Sequence, residues 1–150
     1  MKIKIAIKDI VLDGELFDTA CAKSVEAALP VVTVPNEWGD EFYFEIPVAK
    51  PLDDTATTSV KVGDIGYWPP GNALAIFFGP TPISKGKDPV PASAVNLVGK
   101  INGDASILRR AKGSTEIRIE KSKWAGMPRE AVKDWDWEPY RMVYNKIVSY

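Results

Sequence analysis

Polar and apolar residues alternate strictly over residues 2–8, which places Ile3, Ile5 and Ile7 on one face. A period of two belongs to a strand with one face buried. The alternation resumes over residues 10–17 after Lys8-Asp9, so the two segments predict a β-hairpin. The period then changes. Residues 19–29 are rich in alanine, and Ala22, Val25, Ala28 and Leu29 share one face at helical spacing. Asp18 stands at the N-cap position, where a carboxylate accepts from the free backbone N–H groups of the first turn, and Pro30 stops the helix.

The rest of the chain reads mostly as strands and turns. Residues 31–34 form a short β-branched strand, closed by a turn at Pro35-Asn36. Residues 37–46 predict a strand in which Trp38, Phe42, Phe44 and Ile46 oppose Asp40, Tyr43 and Glu45, with an irregularity at Gly39. Residues 47–59 are a polar connection. Residues 60–68 predict a strand bent at Gly63-Asp64. Pro69-Pro70-Gly71-Asn72 has the residues of a tight turn, two fixed φ values followed by a residue free to take positive φ. The unbroken apolar run 73–78 predicts a strand buried on both faces. Residues 79–92 carry Pro80, Pro82, Pro89 and Pro91, and proline has no N–H to give a ladder, so this segment is a loop. Strands follow at 95–101 and 114–120, separated by Asn102-Gly103 and by a short helical turn capped by Asp104 and reaching Leu108. Pro128, with Ala131, Val132 and Trp135, predicts a further short helix. Residues 140–150 fit a helix through Tyr140, Val143, Tyr144 and Ile147, or a hairpin about Asn145-Lys146. About eight short strands with one firm helix predict an antiparallel barrel or sandwich. A closed barrel has the merit of leaving no free edge.

Composition narrows the chemistry. At 150 residues the chain is about one domain's worth, with no apolar run of the length a membrane-spanning helix needs. There is no histidine, which removes the Ser-His-Asp triad, the Cys-His dyad and the HExxH zinc site. Cys21 is the single cysteine, so neither an intrachain disulfide nor a CxxC metal site is available, and no metal or cofactor is expected. The net charge of −1 conceals −6 in residues 1–75 and +5 in residues 76–150. The basic stretch Arg109-Arg110-Ala111-Lys112 therefore reads as a solvated face or as a partner for the acidic half, and no nucleic-acid or membrane partner is expected. One cysteine and an N-terminus without an apolar leader core point to the cytoplasm.

Candidate site residues cluster around the Pro-Pro-Gly turn. Tyr67, Trp68, Asn72 and Phe78 flank it and suit the rim of a groove for a small molecule or short peptide. The alternative is that Tyr67 or Trp68 fills the interior and Asn72 satisfies turn backbone. Tyr43 and Glu45 share the face opposite Phe42 and Phe44, either as a polar pair in the same groove or as ordinary surface. Asp53-Asp54 and Asp40-Glu41 are adjacent carboxylates whose side chains diverge in extended chain, so both read as solvated loop. Cys21 reads as a small core residue. The loop 79–92 lacks the GK[ST] ending of a phosphate-binding loop and reads as a plain connection, with a mobile flap over the groove as the functional alternative. The C-terminal aromatics Trp135, Trp137, Tyr140 and Tyr144, with the acidic half, are a candidate homo-oligomer or partner surface.

The stretch VKVGDIGYWPPGNALAIFFGPTP at residues 60–82 resembles the small prokaryotic cyclophilin-like proteins of archaea and bacteria. Gly63, Asp64, Gly66, Tyr67, Trp68 and Pro70 match the first half of their signature. Asn72, Leu74, Ile76, Phe77 and Phe78 match the strand after the turn. VNLVGKI at 95–101 and the hairpin-helix opening that ends in Leu29-Pro30 also resemble the family. The resemblance covers about residues 2–123 and implies a closed eight-stranded antiparallel cyclophilin-like barrel with one or two capping helices over residues 1–123; residues 124–150 fall outside it and are expected as a C-terminal extension packed on the same domain.

The resemblance also raises peptidyl-prolyl isomerisation, the activity of true cyclophilins. Their F-H-R and F-M-x-Q-G-G-D segments do not carry over, because the chain has no histidine, no glutamine and no arginine before Arg109. Rotation about X–Pro meets a barrier of ~18–20 kcal/mol, and an enzyme lowers it by holding donors where the twisted state needs them. Lysine is a flexible point charge and a poor substitute for a planar guanidinium. The sequence therefore points to a binding barrel with no assignable catalytic residue, and a weak or divergent isomerase is the alternative.

Overall fold

The fold is taken from a computed structural model in which residues 1–122 are described. The helices expected after Pro128, the extension 124–150 and its aromatic residues lie outside the described residues. The elements run β1 (Lys2–Ile7), β2 (Ile10–Leu16), α1 (Ala20–Ala28), β3 (Val31–Thr33), β4 (Asn36–Glu37), β5 (Glu41–Glu45), β6 (Ala56–Thr57), β7 (Asp64–Trp68), β8 (Ala73–Phe77), β9 (Val95–Ile101) and β10 (Ile117–Lys121). Short 3₁₀ helices occupy Pro69–Gly71 and Ala105–Ala111.

All the pairings are antiparallel, in the order β3-β10-β1-β2-β9-β7-β8-β5-β4, with β6 attached to β9. The first hairpin forms as its alternation predicts, with Ile5 opposite Leu12 on one side and Ile119 on the other. The two ends of this order, β3 and β4, are consecutive in the chain and separated only by Val34-Pro35. Among the described residues no ladder joins them. The expected closed eight-stranded barrel is thus corrected to a curled ten-stranded sheet whose seam is crossed by the chain itself. The physical reason is local: the two edge strands have three and two residues, and Pro35 between them has no N–H to donate.

The concave side holds the main core. Ile3, Ile5 and Ile7 of β1, Phe42 and Phe44 of β5, Leu74 and Ile76 of β8 and Ile117 and Ile119 of β10 are all buried there. The convex side carries a second apolar cluster, Val60, Ala75, Phe77 and Val95, with Tyr43, Trp68 and Leu97 packed against it. β8 is buried on both faces, as its unbroken apolar run predicts.

Helix α1 buries Cys21, Ala22 and Val25. Its N-cap is Thr19, whose hydroxyl accepts from the Ala22 amide at 3.1 Å. Asp18, expected in that role, instead lies one residue outside the cap and pairs with Lys23 at 3.1 Å. Asn96 of β9 is fully buried and accounts for three neighbouring groups. Its amide nitrogen donates to the Pro51 carbonyl at 3.0 Å and to the Cys21 sulfur at 3.6 Å, and its oxygen accepts from the Asp53 amide at 2.9 Å. This one side chain holds the polar connection after β5 against the helix. Among the described residues no helix is long and apolar enough to cross a membrane.

Candidate functional site

The segment read as one strand, 37–46, is two strands and a tight turn. The Trp38 amide donates to the Glu41 carbonyl at 3.0 Å, and Gly39 takes φ 59. A Cβ at Gly39 would also lie 2.8 Å from Pro82 and 2.9 Å from the Thr81 backbone, so only glycine fits beneath the loop that follows β8. The turn resets the alternation. Phe42, Phe44 and Ile46 face the core as expected, but Trp38 joins Glu41 and Tyr43 on the convex face.

A cavity of about 220 Å³ opens on that face, over β5, β8, β7 and β9. Trp38, Tyr43, Trp68 and Phe77 line it as aromatic walls, and Ala75 and Val95 lie between them. The register explains the grouping: Glu41 is opposite Phe77 and Tyr43 opposite Ala75 across β5 and β8, and Trp68 follows on β7. The loop 79–94 completes the rim with Pro91 and Ala92.

That loop is held at both ends. The Trp68 indole N–H donates to the Ser93 hydroxyl at 2.7 Å, and the Thr81 hydroxyl donates to the Val90 carbonyl at 2.5 Å. At its start, the Phe78 amide donates to the Asp40 carbonyl and the Asp40 amide to the Pro80 carbonyl, each at 2.9 Å. The Asp40 carboxylate receives Arg109 Nε at 2.8 Å and Lys112 Nζ at 2.6 Å. Burial pushes the Asp40 pKa upward, but the bonds from Lys112 and Arg109 outweigh it and hold the carboxyl below its usual range. A Cβ at Gly79 would collide with the Asp40 side chain, so glycine is required for this close approach. Arg109 and Lys112 of the basic run thus pair with Asp40 of the acidic half, one of the two readings that the charge distribution leaves open.

Glu41 is the chemically distinctive residue. It is 7% exposed, it lines the cavity, and its Oε1 has no hydrogen-bond partner among the described residues. Burial pushes its pKa up to about 7. The cavity therefore contains one carboxyl that accepts when ionised and donates when protonated, near neutral pH, between aromatic walls.

The structure brings together only two of the residues singled out from the sequence, Tyr43 and Trp68. Tyr67 and Phe78 point the other way. The Tyr67 hydroxyl donates to the Val48 carbonyl at 2.5 Å and accepts from the Lys50 amide at 3.2 Å. Phe78 stacks on Phe42 with ring centroids 4.6 Å apart. Asn72 is exposed and takes φ 47 at the end of the 3₁₀ turn. Glu45 is exposed at the far end of β5, outside the cavity. Tyr67, Phe78, Asn72 and Glu45 thus lie outside this cavity. Trp38, Glu41 and Phe77 are lining residues that the sequence pattern did not assign, and Pro91 and Ala92 come from the loop it offered as a flap. The signal for Glu41 was present, since it lies two residues before Tyr43 and period two puts both on one face.

Three comparisons bear on this geometry. The sequence model of the family described as Cyclophilin-like matches residues 1–120. The solution structure of a hypothetical protein from Archaeoglobus fulgidus superimposes with a TM-score of 0.68 at 32% identity, covering 81% of this chain and 95% of that one. The structure of McbB in complex with tryptophan superimposes with a TM-score of 0.61 at 16% identity, covering 84% of this chain and 46% of that one, which is a likeness of fold alone. No curated protein matches the sequence.

Proposed function

The chain belongs to the cyclophilin-like family, and on that premise we propose that it binds a small molecule or short peptide in the convex-face cavity. The observation that carries this reading is the combination of aromatic walls with one buried, unpartnered carboxyl oxygen at Glu41. A soluble protein does not keep such a group for stability, because an unpaired buried polar atom costs about 1–3 kcal/mol. It is expected where a ligand supplies the missing partner. The volume of about 220 Å³ is below the ~300–1,000 Å³ of a pocket for a whole drug-sized molecule, so the cavity suits a head group or a single side chain. The free, buried Cys21 fits a reducing, cytoplasmic setting, and the archaeal relative supports a prokaryotic one.

Prolyl isomerisation is the weaker reading. Among the described residues the cavity is lined by no arginine, and Arg109 is engaged by Asp40. The test is a screen of small fragments and proline peptides by thermal shift, with Trp68→Ala and Phe77→Leu as controls, beside a prolyl isomerisation assay. Ligand-dependent stabilisation lost in both variants is the expected result. Binding unchanged in folded variants would displace the site from this cavity, and acceleration of isomerisation lost in Trp68→Ala would make the protein an enzyme.

A further inference from the structure

We propose that the cavity takes an organic ammonium group, with the Glu41 carboxylate as its counter-ion and Trp38, Tyr43, Trp68 and Phe77 as its walls. This rests on the cavity reading above and names the chemistry of its ligand. A buried carboxylate is satisfied best by a charged donor, because hydrogen bonds between ionised groups are roughly twice as strong as neutral ones. Aromatic faces attract the same cation through their quadrupoles and do so more strongly when water is excluded. An anionic ligand would meet the Glu41 charge, and among the described residues no cation lines the cavity to offset it. A wholly apolar ligand would leave Oε1 unpaired.

The surroundings leave Glu41 as the group that responds to such a ligand. Among the described residues Tyr43 is the other ionisable side chain lining the cavity. Asp40, next in the chain, faces Arg109 and Lys112. Glu37 accepts from the Gly113 amide at 2.7 Å, and Asp64 of β7 accepts from the Lys61 amide at 2.8 Å. Glu45 is exposed further along β5, and Lys85, Lys87 and Asp88 of the loop are exposed. Burial raises the Glu41 pKa to about 7. An ammonium ligand prefers the ionised form and expels the proton, so its affinity rises with pH up to about 7 and levels off above.

The experiment titrates the full chain with benzylammonium and choline, and with their uncharged counterparts, benzyl alcohol and the tert-butyl isostere of choline. Binding is read from the indole N–H resonances of Trp38 and Trp68. Wild type, Glu41→Gln and Glu41→Asp are compared after each is shown to be folded. The expected result is binding of the ammonium probes, weakened ~10–100-fold in Glu41→Gln and less in Glu41→Asp, with the uncharged probes indifferent to the substitution. If charged and uncharged probes bind wild type alike and neither responds to Glu41→Gln, the ammonium assignment falls and the cavity reading stands. Affinity that rises as pH falls would mean that protonated Glu41 donates to an acceptor, and would also overturn the assignment. If none of the four probes moves the Trp38 and Trp68 resonances, the ammonium assignment falls, and the fragment and peptide screen decides the cavity reading.

Discussion

Replacing Glu41 by glutamine tests the electrostatics of the cavity independently of any ligand. The carboxyl has an ordinary pKa of 4.5 and is raised to about 7 in the folded chain by burial. Below 4.5 it is protonated whether the chain is folded or not, and its ionisation has no effect on stability. Between 4.5 and about 7 the unfolded chain has released the proton and the folded chain still holds it, so stability falls as pH rises. Above about 7 both states are ionised and the loss is complete. At 1.36 kcal/mol per pKa unit, the total fall is about 3 kcal/mol. For a chain of this size that corresponds to roughly 10 °C in Tm. Glutamine does not titrate, so Glu41→Gln lacks this fall. The assay is a set of thermal or urea unfolding curves for both proteins across this pH range. The quantity to compare is the change in their stability difference with pH, not its offset, because an unpaired amide in the same place adds a constant penalty. Growth of that difference in favour of Glu41→Gln as pH rises toward neutrality is expected. Parallel pH profiles would mean that Glu41 is neither desolvated nor the carboxyl that the cavity confines.

Three further outcomes follow from the supports of the site. Asp40→Asn loses the charge that Arg109 and Lys112 share, and is expected to cost about 1–3 kcal/mol by urea unfolding at neutral pH. Because the Asp40 pKa is lowered on folding, its contribution is present above the usual carboxylate range and disappears as pH falls through the folded value. The difference between wild type and Asp40→Asn should therefore shrink in acid, and a constant difference would count against the ion pair. Asn96→Ala leaves the Asp53 amide and the Pro51 carbonyl without their partner and empties fully buried volume. It is expected to cost ~2–4 kcal/mol and to speed hydrogen exchange at Asp53, and native-like protection there would refute the role. Trp68→Phe keeps an aromatic wall but loses the bond to Ser93. It should cost ~1 kcal/mol or less while raising exchange in the loop from residue 90 to 94, and an unchanged loop would show that the indole N–H does not tether it.

Local pattern determined most of the elements by itself. Period two at Ile3, Ile5 and Ile7 and the apolar run of β8 each state how many faces are buried, because a strand alternates its side chains whatever it packs against. The alanine-rich helix, the Pro-Pro-Gly-Asn turn and the proline-rich loop were legible for the same reason: each depends on backbone preferences that a few adjacent residues set. The matches at residues 60–82 carried the family.

What the sequence left open depends on contacts between distant residues. The sheet stays open at β3 and β4, whose short length and intervening Pro35 are local features, but that these two strands are the edges of the sheet is set by the pairing order of all the others. The phase error at Trp38 came from a turn whose glycine is required by Pro82, more than forty residues away. Asp40 and Glu41 looked alike as neighbouring acids. Tertiary structure separated them, giving Asp40 to Arg109 and Lys112 and sealing Glu41 among aromatics from β7, β8 and the turn before β5. Hydrophobic pattern says which face of a strand is covered, but on a strand covered on both faces only the assembled fold says which side holds the core and which side holds a cavity.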